Sequence, residues 1–314
     1  MPRKKIKRQD WFKKFKSTNL LQAIYLKRDV FFASGIAAIF LFLLFFILFP
    51  QQNHKFKTET SKSIQRSLPA EIKKRVEQAS PSASIRVPIL MYHYVEYVQD
   101  KNDTIRQSLN ITPFIFEEQI KTLKNAGFTF MTARELGEVL DGKRFLPPNP
   151  IVLTFDDGHW DFVTDILPIL KKYNVKATQY VIPGFTGGSD FMSKDQVQTA
   201  IASGLVDIGA HTVHHVWLKG LSLKKAEEEI IESKKMLEST YHIQVVSFAY
   251  PFGAFDVQAE KVVKENGFTT SVSTVPGIEQ SETNRFFLYR LRPGRRTGEE
   301  LLNWLKQDKF AAFN

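Results

Sequence analysis

The chain has 314 residues, 43% of them hydrophobic, which is enough for one large folded domain with appendages. It contains no cysteine, which excludes disulfide bonds, a cysteine nucleophile and a cysteine-based zinc site. The formal net charge is +10, but residues 1–29 carry +8 of it, so the remainder is near neutral and no nucleic-acid partner is expected.

An apolar segment follows this basic tail. Residues 30–50, VFFASGIAAIFLFLLFFILFP, contain no charged side chain. As a helix they would span about 30 Å, the thickness of the hydrocarbon core of a bilayer. A cleaved signal peptide has a shorter apolar region and a small-residue cleavage site, whereas PQQNHK follows here. We therefore predict an uncleaved transmembrane signal-anchor helix over 30–50.

The positive residues of the tail predict the topology of this anchor. Basic segments stay in the cytoplasm, so residues 1–29 are expected there, in contact with anionic lipid, and everything after residue 50 outside. Residues 51–85 are rich in Ser, Lys and Gln, end in SPSAS, and are interpreted as an extracytoplasmic spacer. The catalytic domain is predicted to cover residues 86–314.

Within this domain short apolar runs alternate with amphipathic segments. Such alternation predicts an α/β fold with a mostly parallel sheet, either a (β/α) barrel-like fold or an open doubly wound sheet. The predicted strands are 87–95, 150–155, 176–182, 206–211, 245–250 and 269–275. The predicted helices are 112–128, 132–143, 163–175, 193–204, 222–241, 256–267 and 298–307.

Polar side chains follow three of these strands directly. His93 comes after PILMY, Asp156 and Asp157 after IVLTF, and His211 after VDIGA, with His215 four residues further on. In parallel α/β folds functional residues gather at the carboxyl ends of the strands. We therefore expect these side chains to meet at one edge of the sheet.

Two imidazoles and one carboxylate form an open three-ligand set for a divalent metal. We expect His211 and His215 to face the same way on a helical turn and to bind Zn²⁺, Co²⁺ or another divalent ion with one aspartate. Such an ion makes water reactive near neutral pH, and the neighbouring aspartate could accept the proton. The plainer alternatives are a solvated turn at TFDDG and surface histidines in HTVHH.

The motifs TFDDG (154–158) and HTVHH (211–215), followed by FAYPFG (248–253), resemble the NodB-like polysaccharide deacetylases. The resemblance covers about residues 86–295. It implies a distorted (β/α) barrel and metal-dependent removal of acetyl groups from N-acetylated sugars. It also implies that Asp156 is the base and that Asp157, His211 and His215 are the metal ligands, with His214 between the motif positions.

Two departures from the family pattern matter. Ala249 stands where many members have an arginine that tethers the base, and no histidine follows His242 to supply the usual general acid. Both departures resemble the poly-N-acetylglucosamine deacetylase branch, whose acid comes from an early strand, so His93 is the candidate acid here. Arg290 or Arg292 could replace the missing arginine.

The resemblance also assigns residues around the substrate. In the turn Pro251–Gly253, the backbone N–H of Phe252 is expected to stabilise the oxyanion. Aromatic side chains near the site could stack on sugar rings or pack in the core: Trp160, Phe185 and Trp217.

The resulting hypothesis is a membrane-anchored, extracytoplasmic deacetylase of an N-acetylglucosamine-containing polymer. Two alternatives stay open. One is a catalytically silent glycan-binding module that keeps the fold, and the other is an amidase or esterase for a different acylated substrate.

Overall fold

The computed structural model describes residues 69–72, 84–100 and 102–307, which lie in one compact unit, Gln65–Asn314. The predicted cytoplasmic tail, membrane anchor and most of the spacer therefore fall outside the described residues. Across the described part of the chain, no helix combines the length and the apolar character that crossing a membrane requires.

Eight strands form one sheet in which every pairing is parallel. The order is β8-β7-β6-β5-β4-β3-β1, and β2 pairs with β3. The strands are β1 (Ile89–Tyr92), β2 (Thr129–Met131), β3 (Pro150–Phe155), β4 (Ala177–Val181), β5 (Val206–Ala210), β6 (Ser247–Ala249), β7 (Thr270–Pro276) and β8 (Leu288–Arg290).

The two ends of the sheet meet, so the sheet is a nearly closed barrel. Just after β8, the N–H of Leu291 donates to the carbonyl of Ile89 at 2.8 Å, and its carbonyl accepts from the N–H of Met91 at 2.8 Å. The barrel is distorted because Val152 pairs with both Ile89 and Met131, whereas Thr154 and Phe155 pair with β4. The expected distorted (β/α) barrel is confirmed, and the open doubly wound alternative is wrong.

Helices connect the strands on the outside. Side chains cap N-termini of these helices: for example, the Thr112 side chain accepts from the N–H of Ile115, and Thr132 and Glu135 form a capping box. The helices are α1 (Thr104–Leu109), α2 (Pro113–Asn125), α3 (Ala133–Leu140), α4 (Leu167–Tyr173), α5 (Lys194–Ala202), α6 (Leu223–Tyr241), α7 (Val257–Glu265) and α8 (Gly298–Leu305).

Short elements complete the domain. A π-helical segment precedes α4, and there are two short strand pairs and three 3₁₀ turns. The strand pairs are Ile85–Arg86 with Glu279–Gln280, and Tyr94–Val95 with Asn110–Ile111. The π-helical segment is Phe162–Ile166, and the turns are Pro183–Phe185, Pro251–Gly253 and Glu282–Asn284.

Apolar side chains fill the barrel interior and the layer between barrel and helices. The interior cluster takes one or more residues from every barrel strand except β5. There Gly209 lies opposite Tyr180 on β4, and a Cβ on Gly209 would lie 2.3 Å from the Tyr180 ring. The glycine therefore makes room for a buried aromatic side chain inside the barrel.

Replacing Gly209 with Ala should destabilise the domain by about 1–3 kcal/mol, because overpacking a close-packed core costs this much. The measurement is the free energy of unfolding in urea. If the Tyr180 ring is the cause, the Tyr180→Val variant should tolerate Gly209→Ala better than the wild type does. Strictly additive effects of the two substitutions would contradict this account.

A buried carboxylate joins the loop after β3 to the segment after His93. The side chain of Asp161 is 2% exposed and accepts a 2.6 Å hydrogen bond from the N–H of Val95. Burial raises the pKa of Asp161 to about 6, although this hydrogen bond opposes the shift. The folded state therefore binds a proton on Asp161 more tightly than the unfolded state does.

A raised pKa stabilises the fold at low pH, and this contribution is lost as the pH rises through about 6. Asp161→Asn keeps an acceptor for Val95 and removes the titration. Between pH 4 and 7 the wild type should lose about 2 kcal/mol of unfolding free energy relative to this variant. Parallel pH profiles for the two proteins would show that Asp161 does not titrate in this range.

Candidate active site

Polar side chains meet at the carboxyl ends of the barrel strands. Asp156 and Asp157 follow β3, His93 follows β1, and His211 follows β5, as the sequence predicts. His215 reaches the same point from the loop after β5. The structure thus brings the five predicted catalytic and metal-binding side chains together at one edge.

The first aspartate forms a buried, two-pronged ion pair. The guanidinium of Arg290 donates from Nη1 to Asp156 Oδ1 at 2.7 Å and from Nη2 to Oδ2 at 2.8 Å. Its Nε donates to the carbonyl of Ser273 at 2.7 Å. Burial would raise the pKa of Asp156, but the charge and hydrogen bonds of Arg290 outweigh it and hold the pKa below its usual value. Asp156 is therefore ionised and fixed in orientation, and of the two candidate arginines Arg290 is the one that contacts it.

The second aspartate faces three imidazoles. Asp157 Oδ1 lies 3.3 Å from Nε2 of both His211 and His215, and its Oδ2 lies 3.3 Å from Nε2 of His159. Burial would raise the pKa of Asp157, but the imidazoles hold it well below the usual value. Its backbone is in the left-handed region, with φ of 75°. This conformation is uncommon for residues other than glycine.

This donor set fits a divalent metal. One ligand atom from each of Asp157, His211 and His215 can be chosen so that all lie within 4.8 Å of one another. Tetrahedral bonds of about 2.0–2.1 Å place neighbouring ligand atoms about 3.3–3.4 Å apart, close to the separations seen here. The buried Oδ1 of Asp157 has no hydrogen-bond partner among the described residues, as expected for an atom that binds an ion.

A backbone carbonyl fixes the orientation of His211. Its Nδ1 lies 2.7 Å from the carbonyl oxygen of Ala249. A carbonyl can only accept, so Nδ1 carries a proton, and in the neutral imidazole the lone pair is on Nε2, which faces Asp157. The residue that stands where an arginine was expected thus positions a candidate ligand through its main chain.

The helical turn expected for His211 and His215 is wrong. The segment after β5 is an irregular loop, and both Thr212 and His215 have positive φ, 61° and 54°. The two imidazoles converge because the loop reverses direction. The His214 side chain is 63% exposed and points instead to Glu229, with Nδ1 at 2.9 Å from Oε1.

His93 lies beside the ionised aspartate. Its Nε2 is 3.9 Å from Asp156 Oδ2, and its side chain is 14% exposed. Burial lowers the pKa of His93 to about 4, although Asp156 and Asp157 oppose the shift. The predicted strand through this residue is interrupted, because β1 ends at Tyr92 and His93 turns into the site.

Aromatic side chains border the histidines. Phe252, with φ of 58°, has its ring centroid 4.4 Å from that of His215 and 6.0 Å from that of Trp217. Both aromatic side chains are exposed, as is that of Trp160. Phe185 is half-buried and packs on Phe191 with ring centroids 5.1 Å apart, which agrees with the packing alternative for this residue.

The sequence interpretation missed His159, the residue after Gly158 in the first motif. Its ring is 6% exposed and lies between Tyr94 and Phe191, at centroid distances of 4.0 and 5.0 Å. Its Nδ1 is 3.2 Å from the carbonyl of Asp190. The available signal in the sequence was its position two residues after Asp157.

Comparison with known proteins agrees with this geometry. A profile described as polysaccharide deacetylase matches residues 143–271, which contain both motifs. This segment of the chain is similar to the polysaccharide deacetylase family. Members of this family are hydrolases that cleave the amide bond of N-acetyl groups.

Individual relatives extend the match beyond the motifs. The polysaccharide deacetylase domain is 29% identical over 207 residues to YxkH of Bacillus subtilis, provisionally named a polysaccharide deacetylase, covering 66% of this chain and 71% of the relative. It is 28% identical over 199 residues to the poly-β-1,6-N-acetyl-D-glucosamine N-deacetylase of Staphylococcus epidermidis, covering 57% and 68%. The solved structure of Streptococcus pyogenes deacetylase PplD with acetate superposes with a TM-score of 0.66 at 28% identity, covering 72% and 100%.

Replacing Arg290 with Lys should reduce the deacetylase rate about 100-fold, because a lysine cannot hold both oxygens of Asp156 and small misplacements of a base are costly. The measurement is acetate release at saturating metal. Arg295→Lys, an exposed arginine in the following loop, is the matched control and should keep the wild-type rate. Equal rates for the two variants would show that the ion pair does not position the base.

Proposed function

We propose that this protein removes acetyl groups from a polymer containing N-acetylglucosamine, using a divalent metal held by Asp157, His211 and His215. The observation that carries the proposal is the convergence of one carboxylate oxygen and two imidazole nitrogens beside a second, arginine-bound carboxylate. Zn²⁺ is the first candidate for the ion, with Co²⁺ or another divalent ion as alternatives. When bound, the ion would polarise the acetamide carbonyl and make a water molecule reactive at neutral pH.

The remaining residues divide the proton transfers between them. Asp156 is ionised and held by Arg290, so it can accept a proton from the attacking water. His93 lies 3.9 Å away from the same carboxylate and gives a proton to the leaving amine. Because the pKa of His93 is lowered to about 4, its imidazole is neutral at neutral pH, and the proton it gives is the one that Asp156 has taken from the water. The N–H of Phe252 is proposed as the oxyanion donor, on the turn that Pro251 begins.

The substrate class rests on the relatives and on the form of the site. The Staphylococcus epidermidis relative is named for action on poly-β-1,6-N-acetyl-D-glucosamine. A site bordered by exposed Trp217 and Phe252 suits stacking on sugar rings. We place the enzyme on the outer side of the cell membrane, attached by the predicted helix over 30–50, where such polymers are found.

The decisive test is acetate release by the full-length protein in detergent from a panel of N-acetylated glycans, β-1,6-linked, β-1,4-linked and cell-wall derived. We expect release from a polymer of the panel, loss with chelator, and recovery with added Zn²⁺ or Co²⁺. Asp156→Asn and His211→Ala should each reduce the rate at least 1,000-fold, as loss of a central catalytic group does.

The control for these variants is His242→Asn, at an exposed position with positive φ that asparagine tolerates. Wild-type rates in Asp156→Asn and His211→Ala would disprove metal-dependent hydrolysis. Glycan binding without acetate release would establish the silent binding module. Release of another acyl group only would establish the amidase or esterase alternative.

His93 has a separate test. His93→Ala should reduce acetate release about 100- to 1,000-fold while leaving the dissociation constant for Zn²⁺ within threefold, because its imidazole donates a proton and binds no metal. A poorer leaving group needs the acid more, so an activated aryl acetate ester should be less affected than the acetamide. A full rate on the glycan would exclude His93 as the acid.

A further inference from the structure

The loop that carries the two histidine ligands has a strained backbone. Between His211 and His215, both Thr212 and His215 have positive φ, 61° and 54°, and the Thr212 side chain is β-branched. Left-handed conformations cost such residues about 1–3 kcal/mol each, and they persist only where neighbouring structure holds them. Contacts made by other elements must therefore stabilise this loop.

One side chain from the middle of α6 makes three of those contacts. Glu229 Oε2 accepts from the backbone N–H groups of Val213 and His214, each at 3.0 Å, and Oε1 lies 2.9 Å from Nδ1 of His214. Hydrogen bonds to an ionised carboxylate are about twice as strong as neutral ones. The Glu229 side chain is only 14% exposed, so water competes weakly for them.

The opposite side of the loop is also held. The carbonyl of Val213 accepts from the N–H of Gly184 at 3.1 Å, and the N–H of His211 donates to the carbonyl of Val181 at 3.1 Å. Residue 184 must be glycine, because a Cβ there would lie 2.3 Å from the Val213 oxygen. The peptide groups between the two histidines are thus fixed by Glu229 on one side and by the segment after β4 on the other.

We infer that Glu229 is a positioning residue for the metal site: it holds the loop in the strained conformation that brings His215 Nε2 to Asp157. This inference rests on the proposed metal-dependent function. Without Glu229 the loop would relax, and only a fraction of molecules would present the three ligands together. The apparent dissociation constant rises by the inverse of that fraction. Partners that orient ligands typically change metal affinity 10- to 100-fold.

His214 makes a smaller contribution to the position of Glu229. Its imidazole donates to Glu229 from an exposed position, with 63% of the side chain accessible to solvent. His214→Ala leaves the two backbone hydrogen bonds to Glu229 in place. We therefore expect it to weaken metal binding less than threefold.

The test is the dissociation constant for Zn²⁺ of the full-length protein in detergent, measured by competition with a chromophoric chelator. Glu229→Ala should raise it 10- to 100-fold, and Glu229→Gln, which still offers one acceptor oxygen, should fall between. Glu228→Ala removes a neighbouring exposed carboxylate of the same helix that pairs with Lys225, and should match the wild type. With Co²⁺, the visible absorption of Glu229→Ala should show altered coordination.

A second measurement needs no metal. Amide hydrogen exchange at Val213 and His214 in metal-free protein should accelerate at least tenfold in Glu229→Ala, while amides of β4 and β5 keep their protection. Unchanged exchange together with unchanged Zn²⁺ affinity would overturn the inference, even with deacetylase activity intact. If amides throughout Glu229→Ala lose their protection from exchange, that variant is unfolded. The inference is then tested with Glu229→Gln, by the same measurements of hydrogen exchange and Zn²⁺ affinity. If the wild type bound neither Zn²⁺ nor Co²⁺ nor another divalent ion, the proposed function would be overturned instead, and this inference with it.

Discussion

The buried ion pair between Arg290 and Asp156 is the interaction on which the rest of the site depends. Arg290 ends β8 and Asp156 follows β3, so the pair exists only because the sheet curves until its last strand meets its first. Each charge would be costly to bury alone, and each satisfies the other through two hydrogen bonds. The ionised state of the proposed base therefore depends on the closure of the barrel.

This pair also explains how two adjacent carboxylates coexist at the end of a strand. The two carboxylates have different partners: the guanidinium of Arg290 holds Asp156, and three imidazole nitrogens lie 3.3 Å from the oxygens of Asp157. The sequence interpretation offered Arg290 or Arg292 as the arginine that tethers the base, and Arg290 supplies the positive charge beside Asp156.

The sequence could predict the barrel and the meeting of Asp157, His211 and His215, because parallel strands place their carboxyl ends at one edge whatever the details of the loops. It did not predict the strands β2 and β8 or the irregular loop from His211 to His215. It offered Arg290 and Arg292 equally, since only the barrel geometry decides which guanidinium turns inward. Glu229 gave no signal in the sequence because its contacts join distant segments, whereas His159 could have been found from its position two residues after Asp157.

The small side chain of Ala249 has a consequence for comparing members of this family. In this chain the guanidinium that binds the first aspartate comes from β8, while β6 supplies only a carbonyl to His211. A sequence alignment would show no arginine at position 249 and would suggest that the aspartate has lost its partner. In this chain Arg290 supplies the guanidinium instead. Active and inactive members are better separated by what contacts the aspartate in space than by which residue fills a given column.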